Sequence, residues 1–247
     1  MAGHNKWSSI KDKKGKEDAK RGKIFTKIGR MIAVAVRDGG ADPEYNPSLK
    51  SALEKAKAAN MPNDNIDRAI KKASGEGSAE SFEELIYEGY GPEGVAFIVS
   101  CLTENRNRTA SDIRHAFDKY GGNLGQNGSV IFMFDYKGIL TVDKSQGDEE
   151  TLMLEAIDAG AEDFQVEEGV YVITTSKDYF AEVRDSLSKD YKFEEADLFY
   201  LAQNEITVKD EESIKNLEKM IETLEDNDDV QAVYHNWDMT EELENKR

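Results

Sequence analysis

Cysteine occurs once in the 247 residues, at Cys101, and proline only four times. A lone cysteine excludes an internal disulfide and a cysteine-built zinc site, which fits a reducing compartment. Histidine is nearly as scarce, and His4, His115 and His235 are too scattered for a histidine metal site, so His115 reads as a surface or packed side chain. Long apolar runs are also missing. The longest nearly unbroken one, residues 95–102, is far short of the roughly 20 residues that cross a bilayer. The opening MAGHNKW has no apolar stretch of the signal-peptide kind, so a cytoplasmic protein without a membrane partner is expected.

Enzyme signatures are absent in the same way. There is no GxxxxGK[ST], HExxH or GxSxG. Gly89, Gly91 and Gly94 spell GxGxxG, but Pro92 interrupts it and a second strand follows where a dinucleotide fold needs a helix. The acidic cluster at 226–229 lacks the glycine and glutamate spacing of a calcium loop and reads as a solvated turn. No catalytic residue, cofactor or metal is expected.

What the chain has is charge, unevenly placed. The net charge is −18. Residues 1–75 hold 17 Lys+Arg against 9 Asp+Glu, a net +8, while residues 76–247 hold 15 against 41, a net −26. A basic head on an acidic body favours a polyanion partner for the head, because the body would repel that partner and orient the encounter.

Apolar spacing reads the head as helices. A basic helix spans 7–20, and a second spans about 23–37, with Ile24, Phe25, Ile28, Met31, Ile32 and Ala35 on one face. Asn46 followed by Pro47 starts a third, with the asparagine as cap, and Asn63 starts a fourth that Gly75 caps. Residues 75–81 read as a linker. Beyond it, strands at 82–88, 95–103, 130–136, 139–143, 163–166, 170–174, 197–201 and 206–208 alternate with helices at 110–120, 149–158, 178–189 and 211–225. The class is therefore α+β, with two small sheets in the body.

Two constellations could bind anions. Lys13, Lys16, Lys20, Lys23, Lys27 and Arg30 recur at intervals of three and four, which on continuous helix makes one cationic stripe beside the apolar face. The stripe is either a ridge for a phosphate backbone or a solvated face, and Gly15 and Gly22 could break it. Trp7 could stack on a base or pack in the head. In TENRNRTASDIRHAFDKYGGNLGQNGSV, from 103 to 130, Arg106 and Arg108 stand at a helix start, where the dipole disfavours cations. Either they hold an external anion, with Asn105, Asn107 and Thr109 adding donors, or they pair with carboxylates of the acidic body. Gly121, Gly122, Gly125 and Gly128 suit a tight turn better than a ligand loop.

The segments MAGHNKW, AKRGKIFTKIGR, ADPEYNPSLKSALEKAKAANMPNDNIDRAIKKA, YEGYGPEGVAFIV and NRNRTASDIRHAFDKYGGNLGQNGSV resemble the YebC family, including its mitochondrial translational-activator branch. The resemblance implies three domains: a helical head at 1–76, a middle α/β domain at 82–128 completed by 204–240, and an inserted α/β domain at 129–203, both ferredoxin-like. It further implies a non-enzymatic regulator of gene expression. Some members are described as DNA-binding transcriptional regulators, others as ribosome-associated factors that ease translation through proline-rich stretches. DNA or ribosomal RNA is thus the expected partner, with an acidic protein-interaction module as the alternative. The oligomeric state is left open by the sequence, a monomer being one of the possibilities.

Overall fold

A computed structural model describes residues 21–75 and 82–239. In chain order its helices are α1 (Arg21–Gly39), α2 (Pro47–Ala58), α3 (Asn63–Ser74), α4 (Arg106–Lys119), α5 (Glu149–Asp158), α6 (Phe180–Leu187) and α7 (Glu211–Asp226). Its strands are β1 (Glu83–Tyr90), β2 (Ala96–Thr103), β3 (Asn123–Leu124), β4 (Phe134–Asp143), β5 (Asp163–Val166), β6 (Val170–Ser176), β7 (Phe193–Ala202), β8 (Ile206–Thr207), β9 (Val230–His235) and β10 (Trp237–Asp238). The expected helix at 7–20, the linker residues 76–81 and the tail 241–247 lie outside the described residues.

The class is α+β, a helical N-terminal part followed by antiparallel sheets. Among the described residues, one compact unit holds 21–75, 82–130 and 208–235, and a second holds 131–207 and 236–239. In the first unit α1 packs α2 and α3 through Ile28, Ile32, Ala35, Val36, Leu49, Ala52, Ala56 and Ile66. The head does not stand apart as a compact body: Val34, on another side of α1, packs with Phe82 and Leu102 at the ends of β1 and β2. The Asn46 prediction meets its geometry. The side-chain oxygen accepts from Leu49 N at 3.0 Å, and its amide donates to Ala35 O at 2.7 Å and Gly40 O at 2.8 Å. Gly75 departs from its expected capping role, with an extended backbone (φ −73°, ψ 138°) in place of the left-handed cap.

The first unit's sheet runs β3-β1-β2-β9, all neighbours antiparallel. β2 is central and buried along nearly its whole length. Phe97 meets Phe117 of α4 edge to face, with ring centroids 5.9 Å apart. α7 contributes Leu217, Met220 and Leu224, which are fully buried. Strand β9 was not expected from the sequence. Ser100 pairs with Ala232 and Cys101 with Val230, so Gln231 bulges out of register and breaks the alternation that marks a strand.

The second unit has strand order β5-β6-β4-β7 with chain order βαββαβ, the ferredoxin-like arrangement. The first unit's sheet joins its strands in a different chain order, β1-β2-α4-β3 and then α7-β9. α5 and α6 cover one face of the second sheet through Leu152, Ala156, Phe180, Val183 and Leu187 against Leu140, Val142, Tyr171 and Ile173. The two strands expected at 130–136 and 139–143 form one, β4, preceded by a short 3-10 turn at Ile131–Met133. Gly138 sits inside it because a side chain there would collide with Phe180 and Thr175. Residues 236–239, which the family resemblance places in the middle domain, belong to this unit, since β10 pairs in parallel with β8.

Replacing Asn46 with Ala removes a helix cap and leaves two carbonyls without their donor. Denaturant unfolding should show a loss of about 2 kcal/mol, whereas Glu54→Gln, at an exposed position of α2, should change stability by less than about 0.5 kcal/mol.

Candidate nucleic-acid interface

α1 does line up Lys23, Lys27 and Arg30 on one face, but that face meets protein. Lys23 Nζ donates to Asp226 O at 3.0 Å and lies 3.5 Å from the Asp226 carboxylate. Lys27 Nζ donates to Glu225 O at 2.8 Å. Both carbonyls belong to the last turn of α7, the negative end of its dipole, where α7 has no basic residue of its own. The lysines of α1 supply that missing charge. The expected outward ridge is thus corrected for its second half, because the spacing that aligns the cations does not say what their face meets. Lys13, Lys16 and Lys20 lie outside the described residues.

Arg30 goes deeper. Its Nη1 donates to Asp229 Oδ1 at 2.6 Å, Asp228 O at 2.7 Å and Leu102 O at 3.0 Å, and its guanidinium sits 5.4 Å from the Phe82 ring centroid. Asp229 is only 2% exposed. From α4 it receives Arg108, through Nε at 3.3 Å and Nη2 at 3.0 Å to each oxygen, and the Thr109 hydroxyl at 2.8 Å. The Thr103 hydroxyl stands 2.8 Å from that of Thr109. The backbone is pinned as well, with Leu102 N donating to Asp229 O at 2.8 Å and Asp229 N to Asn227 Oδ1 at 2.8 Å. Burial pushes the Asp229 carboxyl up, but the bonds from Thr109, Arg30 and Arg108 outweigh it and hold the group below the ordinary carboxylate range.

The anion expected at the start of α4 is therefore present, and it is the protein's own. Arg108 takes the intramolecular alternative, with Asp229 as partner, while its backbone N–H is capped by Asn105 at 3.1 Å. Arg106 separates from it, 66% exposed and 3.3 Å from the half-exposed Glu83. Asp229 itself was hidden in the sequence inside a cluster that reads as a solvated turn. Asp228 fits that reading and is exposed; Asp229 does not.

The glycine loop is filled by a second carboxylate. Buried Glu88 accepts from Gly128 N at 2.6 Å and Val130 N at 2.8 Å, and its own carbonyl accepts from Gly125 N at 2.8 Å. Gly121 and Gly128 take positive φ of 80° and 86°, so the loop is a tight turn closed on β1. Cys101 on β2 is buried, and burial together with the nearby Asp229 charge pushes its thiol up to about 12. It is no thiolate nucleophile at neutral pH. Among the described residues no His, Cys, Asp and Glu come together in a metal-binding group.

The cations that do face outward in the described head lie elsewhere. Lys57 near the end of α2 and Arg68, Lys71 and Lys72 on α3 are exposed, and the last three share a face at i, i+3 and i+4.

Asp229→Asn should cost about 3 kcal/mol at neutral pH, since it leaves two arginines without their buried counter-charge. The folded Asp229 pKa is depressed, so its contribution is present above the unfolded value of about 3.9 and is lost as pH falls through the lower folded value. The gap between wild type and variant in denaturant unfolding should accordingly narrow below about pH 4. Arg108→Gln should cost about 2 kcal/mol, while Arg106→Gln should stay within about 0.5 kcal/mol.

Comparison with known proteins accounts for almost the entire chain. The family model described as the TACO1/YebC protein N-terminal domain matches residues 5–76, and that described as the TACO1/YebC second and third domain matches 82–237. A "Probable transcriptional regulatory protein" of Finegoldia magna is 64% identical, covering 96% of this chain and 99% of the relative. One of the same name from Acetivibrio thermocellus is 54% identical over the same shares. The crystal structure of a conserved hypothetical protein from Aquifex aeolicus superposes with a TM-score of 0.78 at 47% identity, over 89% of this chain and 91% of that one. Matched along both its helical head and its two sheets, the chain belongs to the TACO1/YebC family.

Proposed function

We propose that the protein is a non-enzymatic, nucleic-acid-binding regulator of gene expression that docks its basic head on the phosphates of duplex DNA. The observation that carries this reading is the division of charge, +8 over residues 1–75 against −26 over the rest. Relatives named as probable transcriptional regulatory proteins support a regulatory role. The head can meet phosphate through the outward Lys57, Arg68, Lys71 and Lys72, and Arg106 is exposed on α4. Lys23, Lys27, Arg30 and Arg108 act instead as the protein's internal fastening. Contacts of this kind position a protein on a backbone and carry little sequence information, so specificity should be modest.

Each phosphate contact contributes roughly 0.9 to the slope of log K against log salt on duplex DNA. Changing Lys57, Arg68 and Lys71 together to Gln should flatten that slope by about 2 to 3 and leave the unfolding transition in place. Unchanged affinity and slope would remove these residues from the interface. Cosedimentation with ribosomes at matched salt separates the second target. Retention on ribosomes without a duplex gel shift would make ribosomal RNA the polyanion and the protein a translation factor. Binding to neither would end the nucleic-acid reading.

A further inference from the structure

We infer that the outward face of α5 is a docking surface for a basic, apolar-anchored helix of a partner protein. This inference is independent of the nucleic-acid reading and concerns the second unit alone. α5 reads EETLMLEAID. Leu152 and Ala156 are fully buried in the core beneath it. Leu154 lies two residues from each, hence about 160° round the helix from both, on the side where a surface helix is ordinarily polar. It is 54% exposed, and Ile157, about 60° from it at i+3, is 53% exposed. Just past the helix, Gly160 is overlain by the ring of Tyr179, which would stand 3.1 Å from a Cβ placed there. Tyr179 is itself 53% exposed, which extends the apolar strip beyond the end of α5.

Charge decides the occupant. α5 carries Glu149, Glu150, Glu155 and Asp158 and no Lys or Arg. Glu150 and Asp158 are the i−4 and i+4 neighbours of Leu154, and both are exposed. Asp178, beside Tyr179, is exposed too. The nearby Lys177 directs its Nζ over the Tyr136 ring, 5.8 Å from the centroid. Nucleic acid and an anionic bilayer are repelled by such a rim, and a second copy of this chain would set the same carboxylates against each other. A helix with leucine-like anchors and a lysine or arginine border matches both the strip and the rim.

The probe is a fluorescently labelled synthetic amphipathic helix of leucine and lysine, titrated against the full chain by anisotropy. Leu154→Gln with Ile157→Gln should weaken binding about tenfold, with circular dichroism unchanged because both side chains already meet solvent. Tyr179→Ser should weaken it separately, and Glu150→Gln with Asp158→Asn should reduce its salt dependence. Equal affinity for wild type and the double Gln variant overturns the proposal. So does a lysine-only peptide that binds as tightly as the probe, since charge would then act without the apolar strip. Self-association of the wild type in sedimentation that Leu154→Gln abolishes also overturns it, by making a second copy the occupant.

Discussion

Asp229 is the point on which the first unit's arrangement depends. A carboxylate at 2% exposure is costly to desolvate and persists only where its lone pairs are met. Here they are met by Arg30 from α1 and by Arg108 and Thr109 from α4, while the backbone on either side is tied to β2 and to Asn227. Three segments far apart in sequence therefore have to agree on one position. Phe82 and Leu102, packed against Val34, supply the apolar seal around it.

The same economy governs the other anion-seeking features. Lys23 and Lys27 satisfy carbonyls at the end of α7, and the buried Glu88 carboxylate occupies the N–H groups of the glycine turn. Residues that look like a phosphate site in isolation form the internal wiring of a protein whose own carboxylates outnumber its cations, 50 to 32. Among the described residues, exposed cations on α2, α3 and the start of α4 stand outside this wiring, and the regulatory reading rests on the division of charge, with these cations and the family in support.

Much of the fold was legible. The limits of α5 and β5 follow from their patterns, the Asn46-Pro47 start of α2 has the geometry its chemistry demands, and the helical spacing of α1 gave its buried stripe. The failures have physical causes. β9 was hidden because the bulge at Gln231 breaks the period of two, and β4 looked like two strands because Gly138 reads as a turn when its role is to make room for Phe180. The cluster at 226–229 looked uniformly solvated because one buried carboxylate among exposed ones leaves no trace in composition.

The sequence by itself determined the class, the division of charge, the helix starts and the nature of the ionic groups, since these depend on short-range propensity and periodicity along one element. Only the tertiary structure decided the partners. Whether Arg108 holds an external phosphate or an internal carboxylate turns on a residue 121 positions away, and whether the α1 cations face solvent turns on where α7 ends. Ionic pairing depends on separation in space, and a local pattern carries no record of which distant segment will arrive within about 3 Å.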